Sequence, residues 1–157
     1  MIGTKFNKPL TDLDGYQKCA DWCNANNATI EDKGEYYECV AIPAPSIDEL
    51  KQAKINELKT IRDNEEVKPI EYNGNLFDFD EKARDRINSA IIALSITGQS
   101  IEWTTADNTN VLVTADDLRG VVANVAVRSN QLHAKYRELK EQVLACSTAE
   151  EVAEIAW

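Results

Sequence analysis

The sequence predicts an α+β fold, and three observations carry that prediction. From Thr114 to Cys146 apolar residues recur at helical spacing; two pairs of short β-type runs are joined by polar turns; and a proline-rich break separates a small leading unit from the rest. The expected order is a small N-terminal αββ unit over 1–42, a linker over 43–46, and an α+β domain over 47–157. That domain reads helix, hairpin, helix, hairpin, long helix, short helix, with antiparallel strands.

Thr11 and Asp12 can cap a first helix that carries Leu13, Tyr16, Cys19, Ala20 and Cys23 on one face and ends in the Asn-rich stretch Asn24, Asn26, Asn27. Ala28 to Glu31 and Tyr36 to Ile42 read as two strands, turned by Asp32, Lys33 and Gly34. Trp22, Tyr36 and Tyr37 are candidate anchors for a partner, and they suit covering the small sheet as well. Pro43, Ala44, Pro45 and Ser46 form an extended linker, because each proline pushes the residue before it away from helix.

Ser46 with Glu49 makes a capping box that opens a helix from Ile47 to about Asn64, with Leu50, Leu58 and Ile61 apolar along it. Ile70 to Tyr72 and Leu76 to Phe79 flank Asn73 and Gly74, which readily take the two positive-φ positions of a type I′ turn. Asp80 then caps a helix through Ile87, Ala90, Ile91 and Leu94, stopped near Gly98. A second hairpin follows, Ser100 to Thr104 and Asn110 to Val113, with Trp103 packed under it. The two hairpins together suggest one layer of four antiparallel strands with helices on one face.

Leu118, Val122, Val125, Ser129, Leu132, Tyr136, Leu139 and Val143 form the stripe of the long helix, interrupted only by Ser129. Thr114 and Asp117 supply its capping box. At roughly 1.5 Å per residue it would be on the order of 45 Å long, so part of it should project or run along a partner. The stripe fits a coiled-coil seam between chains and fits equally a helix lying across its own domain. Intramolecular packing is the favoured reading, and self-association through 115–146 stays an expectation. Gly120 inside it costs about 1 kcal/mol against Ala. Ser147 with Glu150 opens a last short helix, and the terminal Trp157 is either a lid on the core or a contact for a neighbour. Leu132, Tyr136, Leu139, Val143 and Trp157 are therefore the further candidate partner-binding residues.

The 157-residue chain carries a formal net charge of −10 and a pI near 4.6, which repels phosphate backbones and anionic lipid. Neither a nucleic-acid nor a membrane partner is expected. No apolar run approaches the roughly 18 residues of a spanning helix, and MIGTKFNKPLTDLDG carries no apolar signal core. Four cysteines, Cys19, Cys23, Cys39 and Cys146, are too few for a disulfide framework. A zinc site would need a fourth ligand that the spacing does not offer, so the thiols read as small apolar core residues, with no metal and no cofactor expected.

Catalytic signatures are absent: no G-x-S-x-G elbow, no phosphate loop, no H-E-x-x-H. His133 lies beside the seam with no acid or nucleophile near it in sequence, and reads as a surface or packing residue. Asp78 and Asp80 with Glu81 are the one tempting carboxylate cluster; Asp80 is more simply the cap of the next helix than part of a calcium site.

The ordered stretches LFDFDEKARDRINSAI, SIEWTTADNTNVLVTADDLRGVV, the helix with His133, and STAEEVAEIAW resemble a family of small bacteriophage proteins known mainly as a domain of unknown function and found among tail and tail-fibre genes. The resemblance covers about Ile47 to Trp157 and rests on Phe77, Asp80, Arg84, Trp103, Asn108, Leu112, Thr114, Leu118 and Trp157. DWCNANNATIEDKGEYYE looks like a leader that accompanies such phage proteins, and STAEEVAEIAW is loosely similar to the end of phage tail-fibre assembly proteins. The resemblance implies a tail protein without enzymatic activity, present in the host cytoplasm during assembly and then in the virion tail or not. The leading expectation is a tail-fibre assembly or accessory protein, chaperone-like, that binds a fibre or tail polypeptide. The alternative is a structural virion component, a tail or fibre-attachment subunit oligomerised through the long helix. An acidic host-takeover inhibitor ranks below both, since Lys and Arg are interspersed among the acidic residues.

Overall fold

The structure is a computed structural model that describes Met1–Trp157, and the chain forms two compact units, Met1–Ser46 and Ile47–Trp157.

The first unit runs β1 (Lys5–Asn7), α1 (Leu13–Ala25), β2 (Ala28–Asp32) and β3 (Tyr36–Ala41). It is thus βαββ, with one strand more than the sequence suggested. The order across the sheet is β1-β3-β2, both pairings antiparallel, with Phe6 opposite Tyr37 and Ile30 opposite Cys39. Strand β1 leaves no signal in the sequence because it is three residues long with a single apolar side chain, Phe6, and three residues cannot show a period of two. Asp12 caps α1 by accepting from the Gly15 amide at 2.9 Å. Between β2 and β3, Gly34 takes φ +89° while its amide donates to Asp32 Oδ1 at 2.8 Å. The core holds Phe6, Cys19, Cys23, Ala28 and Cys39, with Tyr16, Trp22, Ile30 and Tyr37 packed against it. Leu13, expected on the buried face of α1, is 68% exposed. It is the first helical residue, one turn ahead of Tyr16, where contact with the core begins.

The second unit runs α2 (Ile47–Glu66), β4 (Ile70–Tyr72), β5 (Asn75–Phe77), α3 (Glu81–Thr97), β6 (Ile101–Thr104), β7 (Asn110–Val113), α4 (Ala115–Ala145) and α5 (Ala149–Glu154). Asn73 and Gly74 both have positive φ, 50° and 77°, as the hairpin between β4 and β5 demands. Asp80 caps α3 through the Ala83 amide at 2.8 Å, and Gly98 closes it in the left-handed conformation. Thr114 and Asp117 form a reciprocal capping box at the start of α4. The box before α5 is Thr148 with Glu151, one position later than Ser147 with Glu150. Both pairs fit S/T-x-x-E, so spacing alone could not choose between them.

The four strands do not form one layer. They make two separate two-stranded sheets, β4-β5 and β6-β7. The Ala106 amide, in the turn of the second hairpin, donates to Leu76 O on the first at 2.7 Å. Strands of three and four residues have little edge to share, and their inner faces are covered by helices instead.

Two hydrophobic clusters lie along α4. Near its start, Leu118 and Val121 pack with Phe77, Ile87, Leu94, Trp103 and Val113. Near its end, Val143, Tyr136 and Leu139 pack with Ile55 and Leu58 of α2 and with Ile155 and Trp157. The length of α4 is thus taken up by two cores in series, and the expected projection is not seen. Val121 takes the fully buried place the stripe gave to Val122, which is only half-buried. Gly120 faces the ring of Tyr72 so closely that a Cβ there would overlap it. The glycine that weakens the helix by propensity is what lets the first hairpin touch its backbone.

Candidate functional site

The candidate partner residues fall into two sets, one in each unit. In the first unit, Tyr37 points inward, its ring edge-on to Tyr16 at 5.5 Å with Lys8 Nζ 4.5 Å above its face. Tyr36, on the opposite face of β3, lies under Lys5 Nζ at 4.6 Å. Trp22 covers the cysteine-rich core. All three are half-buried.

In the second unit the structure gathers Tyr136, Leu139, Val143 and Trp157 into one cluster, and Leu132 is half-buried on the same helix. Val143 is fully buried against the chain's own residues, so it is not on the surface as a partner contact requires. Arg62 stacks over Tyr136 at 4.8 Å and Lys135 over Trp157 at 4.8 Å. Trp157 packs on this cluster as a half-buried cover.

The most exposed apolar side chains of this unit lie off α4. Ile92 and Ile96 are 64% and 81% exposed, one turn apart on α3. Leu112 projects from β7 on the face away from Trp103 and Val111, at 72% exposure. The signal was in the sequence: Ile92 and Ile96 are apolar, spaced i,i+4, and fall off the Ile87, Ala90, Ile91, Leu94 stripe.

Midway along α4, Ser129 and His133 converge on one carboxylate. Ser129 Oγ donates to Glu66 Oε1 at 2.7 Å, and His133 Nε2 lies 3.0 Å from the same oxygen. Arg128 donates to the carbonyls of Glu66 at 2.8 Å and Pro69 at 3.1 Å, closing the end of α2, while its Nε is buried without a partner. Burial holds the Arg128 guanidinium below its ordinary pKa, against the nearby Glu65 and Glu66 charges. A cleft of about 300 Å³ adjoins this network, walled by Val67, Phe79, Arg84 and Val125. The serine bonds the carboxylate directly and the histidine does not stand between them, which is not the geometry of a serine–histidine–carboxylate relay. Ser129, the break in the apolar stripe, is explained by this contact. Asp80 is occupied as a helix cap, as the sequence suggested.

The third constellation is a trio of thiols in the first unit. Cys19 and Cys23 stand one turn apart on α1 and Cys39 faces them from β3. Their sulfurs lie within 4.8 Å of one another, with Cys23 and Cys39 at 3.3 Å. Exposure is 0%, 4% and 0% in that order. Burial, aided by the hydrogen bond to Cys39, pushes the Cys19 thiol up and the Cys23 thiol up to about 12. These are the side chains whose donor atoms converge closely enough to share one ion. The sequence placed the cysteines on the right elements but offered no way to see Cys39 swing onto the α1 pair. Cys146 belongs to the second unit, its thiol donating to Gln142 O at 3.2 Å.

No helix is long and apolar enough to cross a membrane. No curated protein and no solved structure matches the chain. Residues 49–156, nearly all of the second unit, match a family described as a domain of unknown function, and the chain accordingly belongs to that family, DUF4376.

Proposed function

We propose that the protein is a non-enzymatic bacteriophage tail accessory protein that binds a tail or tail-fibre polypeptide during assembly, holding or capping it. The observation that carries the reading is the apolar ridge of Ile92 and Ile96 on α3, left open on a domain whose long-helix stripe and terminal tryptophan pack against its own residues. The phage-like order of motifs supplies the class of partner. Co-expression with the neighbouring tail or fibre polypeptides, read by size-exclusion chromatography, tests it. A complex with one of them, lost in an Ile92→Asp, Ile96→Asp variant of unchanged circular dichroism, is the expected result; no complex with any of them sinks the proposal.

A second reading, a virion subunit oligomerised through α4, is favoured by Val127 and Leu144, which remain exposed on that helix. Mass spectrometry of purified particles separates the two. Stoichiometric presence with a stable oligomer of the isolated chain supports the subunit, and absence from particles supports the assembly role.

A further inference from the structure

We propose that Cys19, Cys23 and Cys39 form a three-thiolate seat for a monovalent copper ion. Three sulfurs at roughly 2.3 Å from a shared metal stand about 4 Å from one another, and the trio already lies within 4.8 Å. Small rotations of the side chains, chiefly an opening of the 3.3 Å Cys23–Cys39 approach, complete the site. The donors come from a helix and a strand packed on each other, which is a more exact platform than a loop. Thiolates select soft ions, which points to Cu⁺ or Zn²⁺ and away from Mg²⁺ or Ca²⁺.

The count of donors then chooses between the two. Zinc takes four ligands, filling an open position with water or substrate, whereas Cu⁺ is satisfied by three sulfurs. Here the group is three cysteines with no fourth His, Cys, Asp or Glu, and the sulfurs are sealed from solvent. Each sulfur that binds releases its proton to solvent, and no electron moves. The bound ion would tie α1 to β3, so that its binding free energy adds to the stability of this small unit.

The test uses the full chain, reduced and free of oxygen, titrated with Cu⁺ against a chromogenic Cu⁺ chelator and with Zn²⁺ against a zinc indicator. The expected result is a single Cu⁺ per chain with near-ultraviolet sulfur-to-copper absorption, and at least a hundredfold weaker retention in Cys39→Val, with Cys146→Ser unchanged. Should Cys39→Val fail to fold, alkylation of the native sequence gives the same answer. Bound Cu⁺ should protect Cys19, Cys23 and Cys39 from modification in mild denaturant and leave Cys146 unprotected. Retention of Cu⁺ only through Cys146, no retention at all, preference for Zn²⁺, or a Cys23–Cys39 disulfide formed under mild peroxide in place of metal protection would each overturn the proposal.

Discussion

The two cores strung along α4 are built from the same helix yet differ in how completely they close. Around Leu118 and Val121, two hairpins and α3 surround the helix, and seven side chains are buried together, Phe77 and Trp103 among them. Around Val143 the chain supplies only α2 and the short α5; three side chains are buried, and half-buried Tyr136, Leu139, Ile155 and Trp157 finish the job. Strands let a core be closed from several directions in few residues, while two antiparallel helices, Lys51 of α2 beside Leu144 of α4 and Glu66 beside Ser129, leave a seam that needs aromatic covers. The first core is therefore the anchor of the fold and the second its yielding end.

Equal truncations should expose that difference most strongly. Leu118 and Leu58 are both fully buried, one in each core. Leu118→Ala is expected to lose about 4 kcal/mol and Leu58→Ala about 2.5 kcal/mol in urea unfolding, because the open-sided cluster can collapse onto the smaller side chain. Equal losses would show the two cores to be equally rigid. Next comes Gly120→Ala: on a free helix it would gain up to about 1 kcal/mol, but the Tyr72 ring occupies the space of the new methyl, so a net loss of about 2 kcal/mol is expected. In a Tyr72→Ala background the same change should become stabilising, a coupling that a double-mutant cycle reads directly.

Between the cores, Arg128→Met strips the Glu66 and Pro69 carbonyls of their donor and should cost about 1 to 2 kcal/mol, with amide exchange quickened in the last turn of α2 and unchanged in α3. The smallest effect is on acid sensitivity. Hydrogen bonds from the Thr114 hydroxyl and then its amide hold Asp117 below its ordinary 3.8, and those from the Ser147 and Thr148 amides hold Glu151 below its ordinary 4.5. A lowered folded-state value means a contribution present above the unfolded pKa and lost as pH falls through the folded one. Stability should thus decline on acidification below about 4.5, and Asp117→Asn and Glu151→Gln should each flatten that decline, one at each core.

Local signals carried much of this architecture. Asn73-Gly74, the Asp80 cap and the Thr114–Asp117 box each place their own element, because the atoms that satisfy them lie within a turn. What depended on distant partners was harder to see. Nothing near Ser129 or His133 announces Glu66, 63 residues before Ser129, yet that carboxylate explains both. The same holds for Cys39 beside the α1 thiols, and for Gly120, which propensity marks as a flaw and tertiary contact as a requirement. Heptad spacing located the seam of α4 without saying that the chain's own α2 fills its second half. The unoccupied ridge at Ile92 and Ile96 was visible as apolar residues off the stripe, but only the packed structure shows that nothing in its own unit covers them.

The bare patch of helix at Gly120 has a mechanical meaning. A tyrosine ring seated on exposed peptide works as a key in a slot: α4 can neither roll nor slip by a turn past the β4–β5 hairpin without lifting Tyr72 out. A rod of 31 residues that serves two separate greasy pockets must be pinned at one angle for both to fit, and the smallest residue in the chain is where the pin goes in.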